Sequence, residues 1–264
     1  MITVFMHITL ACYALALLKF MLYLFFRQGL IFKFAITFTI LGIAANTTIL
    51  FLRSSMTGHG PYFTTFEYLV FFSWLMAITF LIVEFKHKIT DLGSFILPII
   101  VVVFSLSYFA VDVGSDMVVP ELWKTLHRTL SFIGYAHFAI LFTVSIMYLL
   151  QEYQLKRKNF GALYHRLPSL EILDAVNHKA LVLGFTLYTL GFVTGTVSNS
   201  NATGDDLFSW NILNILPLIA IWWIFCGLFV SRIMFGFRRG PFAKWSIAAS
   251  IAVIIALFQH IKLY

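Results

Sequence analysis

Eight histidines are the residues best suited to chemistry in a sequence with few other reactive side chains. His127 and His260 stand apart, because each lies near one end of a long apolar run and we expect both ends at the same membrane face. Two imidazoles from different helices at one depth are able to bind one iron atom axially. Histidines that simply occupy the interfacial belt are the open alternative for this pair.

The other histidines have simpler interpretations. His7 and His137 fall inside apolar runs, where hydrogen bonds within or between helices commonly occupy such residues. His59 lies in the turn sequence Gly-His-Gly-Pro, so a turn role and a ligand contact are both open. His178 beside Lys179 suits snorkelling toward the headgroups. The remaining two, His87 and His165, lie in basic loops.

Few other side chains indicate chemistry. Glu67 begins the third apolar run, and an acid inside a membrane is a functional candidate, which supports a solute or ion transporter as one alternative. The sequence shows no Ser-His-Asp set, H-E-x-x-H motif or phosphate-binding glycine loop, so hydrolysis is not supported and we expect no enzyme. Cys12 and Cys226 form no C-x-x-C-H, which excludes covalent haem attachment to this chain.

The elements that must position these residues are long apolar runs. The 264 residues are 61% hydrophobic and only 11% charged, with a mean hydropathy of +0.92. Continuous apolar runs of about twenty residues favour membrane-spanning helices over the alternating strands of a barrel. We therefore predict an all-α integral membrane protein, one polytopic domain over 1–264 with about eight transmembrane helices, near 3–26, 30–52, 66–85, 92–112, 127–150, 178–198, 210–232 and 244–262.

The net charge of +7 is interpreted as a topology signal, and no nucleic-acid partner is expected. Most basic residues lie at alternate gaps between the runs, which the positive-inside rule assigns to the cytoplasm and which puts both termini on the outer, periplasmic side. No basic segment precedes the first run, so we expect it to be retained rather than cleaved as a signal peptide. The cytoplasmic group comprises Arg27, Lys33, Lys86, Lys88, Lys156, Arg157, Lys158, Arg166, Lys179, Arg232, Arg238, Arg239 and Lys244.

The longest gap, about 151–177, contains a second signal. Pro168 and Ser169 precede an apolar pattern, with Ser169 suited to cap a helix and Glu171 suited to its first turn. The pattern predicts a short interfacial helix that leads into the sixth run.

Several stretches together resemble the cytochrome c assembly protein family, which includes the CcsA, CcmC and HemX-like branches. The sequence from Thr57 to Pro61 and from Phe66 to Trp74 resembles the family's "G-H-x-P … Y-E-S-L-x-F-x-x-W" stretch. Leu126-His127 with Ser131 and Gly134-Tyr135-Ala136 is similar to its "L-H-x-x-x-S-x-x-x-Y-A" helix. The stretches that look like the HemX-like branch are 155–158, 167–171, 183–185, 190–191 and 194–195.

The resemblance implies a non-covalent haem b near the outer face. His127 matches the family's first outer histidine, and His260 falls roughly where the second would lie. The family's "W-G-x-x-W-x-W-D-P-K-E" segment corresponds to 195–211 here, where Trp210 matches one tryptophan, Phe208 replaces another and Asn211 replaces the aspartate.

The hypothesis is a haem-handling accessory protein for cytochrome c assembly in the bacterial inner (plasma) membrane. His127 and His260 are its expected axial ligands, Phe208 and Trp210 its expected packing surface, and His59 a further contact. Its expected partners are haem, membrane lipids and other cytochrome c assembly proteins. The alternatives are a HemX-like scaffold or regulator that binds no haem, which the eroded tryptophan motif supports, and the transporter already mentioned.

Overall fold

The computed structural model describes residues 1–110, 122–158, 161, 163–203, 212–236 and 239–262, and side chains over the same ranges except 199–203, 212–215, 239 and 256–262. All regular elements within these ranges are α-helices, as the apolar runs predict. The helices are α1 Ile2–Phe26, α2 Gly29–Thr57, α3 Thr65–His87, α4 Leu92–Leu106, α5 Leu122–Lys156, α6 Leu170–Thr203, α7 Ile212–Met234 and α8 Arg239–Lys262.

Six of these helices, α1, α2, α3, α5, α6 and α7, are long and apolar enough to cross a membrane, with mean hydropathies between 1.7 and 2.0 over their best windows. The chain is therefore a helical multi-pass membrane protein. The α4 helix has 15 residues, which corresponds to about 22 Å, less than the roughly 30 Å of hydrocarbon. Full crossing by α4 and α8 stays a prediction.

Two compact units divide the chain, Met1–Pro120 and Glu121–Tyr264. In the first, α1 packs on α2 and α4, and α3 packs on the same two helices, which makes a closed four-helix arrangement. Its core includes Tyr13, Phe20, Phe80 and Phe104, all fully buried. The single domain expected over 1–264 stays a prediction.

The second unit has the same kind of arrangement, in which α5 packs on α6 and α8 and α7 packs on the same two. Phe138 of α5 and Phe225 of α7 stack at its centre, with ring centroids 3.8 Å apart and planes 13° from parallel. Both rings are buried, so the pair contributes apolar contact area to the centre of this unit.

The predicted interfacial helix before the sixth run is wrong as a separate element. Ser169 does cap a helix start, since its Oγ accepts a hydrogen bond from the Ile172 N–H at 3.4 Å. The helix that begins there is α6 itself, which continues without a break through Thr203. Leu173 and Val176 are buried, so tertiary packing keeps these first turns in line with the rest of α6.

Candidate functional site

His127 lies near the start of α5, half-buried against α6. Its Nδ1 atom is 2.7 Å from the carbonyl oxygen of Gly191. A carbonyl oxygen only accepts hydrogen bonds, so Nδ1 carries the proton and donates it. In the neutral imidazole the lone pair then resides on Nε2, the nitrogen that ligates a metal in sites oriented by such a second contact.

Two glycines of α6 allow α5 to pack closely at this point. A Cβ atom at Gly195 would lie 2.6 Å from Nδ1 of His127 and 2.8 Å from its Cε1, and a Cβ at Gly191 would lie 2.5 Å from the Ser131 hydroxyl. Residues four apart share one helix face. Gly191 and Gly195 therefore form a notch on α6, the glycine notch, in which Ser131 packs on Gly191 and the His127 imidazole packs on Gly195.

The Thr194 hydroxyl lies 2.9 Å from the Leu190 carbonyl oxygen and 3.0 Å from that of Gly191, so these two carbonyls share its one proton. Further along α5, Ser131 and Tyr135 face α6 as well, and the ring of Tyr135 lies 5.3 Å from that of Tyr188. The Tyr188 hydroxyl donates to the Leu218 carbonyl of α7 at 3.2 Å. This bond joins α7 to the contact between α5 and α6.

The α8 helix runs antiparallel to α5. Near the start of α8, Gly240 packs against the Glu152 carboxylate, which lies near the end of α5. Farther along, the Ser250 hydroxyl lies 3.5 Å from the Phe138 carbonyl oxygen. The backbone of α8 stays helical through Lys262 and thus through His260, whose side chain lies outside the described residues. Phe208 and Trp210 also lie outside them.

His59 belongs to the Met1–Pro120 unit, in the turn after α2. It is buried, with 3% of its surface exposed, and its Nδ1 donates to the Gly60 carbonyl at 2.8 Å. The ring packs on Phe63 at 4.4 Å, and the Ser54 hydroxyl bonds the His59 carbonyl at 2.5 Å. These contacts give His59 a structural role in the turn, while a haem contact stays a prediction.

Glu67 has a structural role that weakens the transporter alternative. The Arg53 Nε atom lies 2.8 Å from Oε1, and the N–H groups of Phe63 and Thr64 donate to Oε2 at 2.8 and 3.3 Å. In return the Glu67 N–H donates to the Thr64 hydroxyl at 3.3 Å, so the two residues form a capping box at the start of α3. Arg53 belongs to α2, so this ion pair also joins α2 to α3.

Arg232 is a buried residue that we expected in a cytoplasmic gap. It lies in α7 with 4% of its side chain exposed, and its two terminal nitrogens contact both carboxylate oxygens of Asp174 at 2.8 and 2.7 Å. Its guanidinium also lies 4.6 Å from the ring centroid of Phe242. Arg232 therefore joins α6, α7 and α8. The ion pair with Asp174 forms because packing brings α6 and α7 together.

Two further histidines bond their own helices, as we expected for packing residues. Nδ1 of His7 lies 2.6 Å from the Thr3 carbonyl, and Nδ1 of His137 lies 2.8 Å from that of Ile133. No group of three or more metal-binding side chains occurs within the described part of the chain. The neutral imidazole of His127 is a type of donor that haem iron accepts.

These observations define a polytopic helical membrane protein with an oriented imidazole at one end of a four-helix unit. The family model described as "Cytochrome C assembly protein" matches residues 62–260, and the chain belongs to this family. The sequence resemblance to the family is thus confirmed.

Individual relatives agree with this assignment. The chain is 29% identical over 220 residues to Protein HemX of Brevibacillus brevis, with 80% of this chain and 78% of that protein covered. It is 26% identical over 251 residues to the cytochrome c biogenesis protein CcsA of Guillardia theta, covering 86% and 82%. It is 25% identical over 264 residues to CcsA of Prochlorococcus marinus strain MIT 9301, covering 88% and 84%.

Proposed function

We propose that the chain binds haem non-covalently and handles it during cytochrome c assembly, with Nε2 of His127 as one axial ligand. The observation that carries the proposal is the hydrogen bond from Nδ1 of His127 to the Gly191 carbonyl. It selects the tautomer with the lone pair on Nε2 and raises the basicity of that nitrogen, as carbonyl partners do for metal-bound histidines. The glycine notch holds the ring in one orientation.

His260 is the proposed second ligand. Support comes from the antiparallel packing of α5 and α8, in which Ser250 lies beside Phe138. His260 lies ten residues after Ser250 on α8. Arg128, the neighbour of His127, lies ten residues before Phe138 on α5. Ten residues of α-helix span about 15 Å at 1.5 Å per residue, and the two helices are antiparallel. The backbone positions of His260 and His127 therefore lie at about the same level along the helix axes.

The remaining parts of the site are proposed by resemblance. Phe208 and Trp210 are the expected packing partners of the porphyrin, because flat aromatic rings cover its faces well. Bound haem supplies an iron atom with two axial positions that imidazole nitrogens fill. The chain's own task is to orient these nitrogens and to exclude water around them, and a non-covalent haem b suits a sequence without C-x-x-C-H.

The role in cytochrome c assembly is supported by the family and by the relatives named CcsA. We propose the bacterial plasma membrane as its location and other assembly proteins as partners. A scaffold that binds no haem has no specific observation in its favour among the described residues. A scaffold of this kind would bind the same partner proteins but would show no haem absorption. Haem titration of the purified protein therefore separates the two functions.

Haem titration of the purified protein in detergent tests the proposal. The parent protein should develop a Soret band with low-spin character, and acidified acetone should extract unmodified haem. His127→Ala should lose or shift that band, and imidazole added to the variant should restore it. His137→Ala is the matched control, since His137 is on the same helix with the same kind of Nδ1 bond.

The outcomes are distinct. Identical spectra for the parent and His127→Ala would remove the ligand assignment, and a parent that binds no haem would leave the scaffold function. His260→Ala tests the second ligand separately. It should yield a spectrum typical of one imidazole, and an unchanged low-spin spectrum would exclude His260 as a ligand.

We further propose that the start of α5, with His127, faces the outer side and that both termini do so. The support is the distribution of charge, because Lys156, Arg157 and Lys158 lie at the other end of α5.

A further inference from the structure

An apolar groove runs between α7 and α8 in the Glu121–Tyr264 unit. Trp223, Gly227 and Ser231 form one stripe on α7, four residues apart, and Trp245 of α8 lies opposite. The stripe is about 12 Å long, and the groove has a volume of about 360 Å³, completed by Ile224 and Leu228. We call this feature the tryptophan groove.

The groove is open to its surroundings. Trp223 and Trp245 are 65% and 63% exposed, and a Cβ atom at Gly227 would meet no other atom within 4 Å. The Ser231 hydroxyl donates to the Leu228 carbonyl at 2.9 Å, so the helix itself satisfies the hydroxyl in the lining. Such a lining suits hydrocarbon and disfavours a polar solute.

One end of the groove carries positive charge. Ser231 is close to the end of α7 and Trp245 close to the start of α8, so this end lies near the Met234 end of α7 and the start of α8. Lys244, next to Trp245, is exposed. No acidic residue follows Asp206 in the sequence, and the Glu152 carboxylate of α5, which packs on Gly240 at the start of α8, is already paired with Lys156 at 3.0 Å.

We propose that the tryptophan groove binds an anionic phospholipid, with an acyl chain between Trp223 and Trp245 and the phosphate beside Lys244. Basic pockets between membrane helices recognise anionic headgroups in this way, and tryptophan is favoured at the headgroup level. This site uses none of the residues proposed for haem. It stands independently of the proposed function.

Tryptophan quenching by brominated lipids in reconstituted vesicles tests the proposal. Brominated phosphatidylglycerol should quench at a lower mole fraction than brominated phosphatidylcholine with the same chains. This preference should vanish in Trp223→Phe/Trp245→Phe, because those two side chains report on the groove. Lys244→Gln should weaken the preference about fivefold, the effect of roughly one basic residue near an anionic headgroup.

Two further variants locate the lipid. Gly227→Leu places a bulky side chain in the tryptophan groove and should abolish the preference for the anionic lipid. Lys33→Gln removes an exposed charge from α2 in the other unit and should leave that preference unchanged. Equal quenching by both lipids would overturn the proposal. A preference that survives both Lys244→Gln and Gly227→Leu would overturn it too, and absence of quenching by either lipid would mean that protein fills the groove.

Discussion

Nδ1 of His127 donates a hydrogen bond to the backbone carbonyl of Gly191 over 2.7 Å, although the two residues are 64 positions apart. The contact joins the start of α5 to the last third of α6. It requires that no side chain stand between the ring and the helix backbone, and Gly195 meets this requirement, while Gly191 leaves room for Ser131 of α5. The orientation of the proposed ligand therefore depends on residues that do not themselves bind iron.

Gly195→Ala should weaken haem binding about 10- to 100-fold, the usual cost of disturbing a residue that orients a metal ligand. The added methyl group would lie 2.6 Å from Nδ1 of His127, so the ring must rotate out of the notch. The measurement is a Soret titration. Gly227→Ala is the matched control, since its methyl group meets nothing within 4 Å. Equal affinities for the two variants would contradict the role of the notch.

Glu67→Gln should lower the thermal stability strongly, because it leaves the guanidinium of Arg53 without its ion partner in a site where Glu67 is 1% exposed. Loss of one member of a buried pair costs about 3–5 kcal/mol. Unfolding in detergent, followed by circular dichroism, measures the change.

A double-mutant cycle with Arg53→Gln is the control for this pair. The double variant should lose less stability than the sum of the two single variants, because each substitution removes the same interaction. Additive losses would indicate that the pair contributes nothing. Ion flux that depends on Glu67 in vesicles would instead revive the transporter alternative.

Arg232→Lys should destabilise the protein even though the charge is kept. A lysine ammonium cannot form the two parallel contacts with Asp174 at 2.7 and 2.8 Å, nor lie flat over Phe242. We expect a loss of about 1.5–3 kcal/mol, the range of a hydrogen bond to a charged group. Arg157→Lys is the control, because Arg157 is exposed at the end of α5. Equal melting temperatures would contradict the prediction.

The orientation of α5 is also testable. The test uses a chain in which Cys12 and Cys226 are replaced by serine. In this chain Lys158→Cys should react with a membrane-impermeant maleimide only after the spheroplast membrane is permeabilised. Cysteine at Thr3 should react in intact spheroplasts. The physical reason is that clusters of lysine and arginine remain in the cytoplasm during insertion. The opposite labelling pattern would reverse the proposed topology.

Most of the helical elements were predictable, whereas their ends were not. The α2 helix continues to Thr57 beyond the apolar run expected to end near 52, and α6 begins at Leu170 rather than near 178. Apolar runs indicate where a chain crosses hydrocarbon, but a helix continues into the polar interface wherever capping and packing satisfy its backbone. The capping box of Thr64 and Glu67 was available in the sequence, because Thr-x-x-Glu before an apolar run is its signature.

The sequence predicts part of the glycine notch but not the helix that packs into it. Gly191 and Gly195 have the Gly-x-x-x-Gly spacing typical of close helix contacts, which predicts that some helix packs there. Nothing in the sequence names α5 as that helix or His127 as the side chain. The pairing of Arg232 with Asp174 was hidden for the same reason, since the two residues are 58 positions apart.

The sequence by itself determined that this chain is a helical membrane protein of the cytochrome c assembly family, because hydrophobicity and local motifs act along the chain and need no partner. Only the tertiary structure decided which nitrogen of His127 carries its proton, that Glu67 is committed to Arg53, and that Arg232 is buried. Those properties arise where two helices meet, and the meeting positions follow from packing of whole helix surfaces rather than from spacing within one segment.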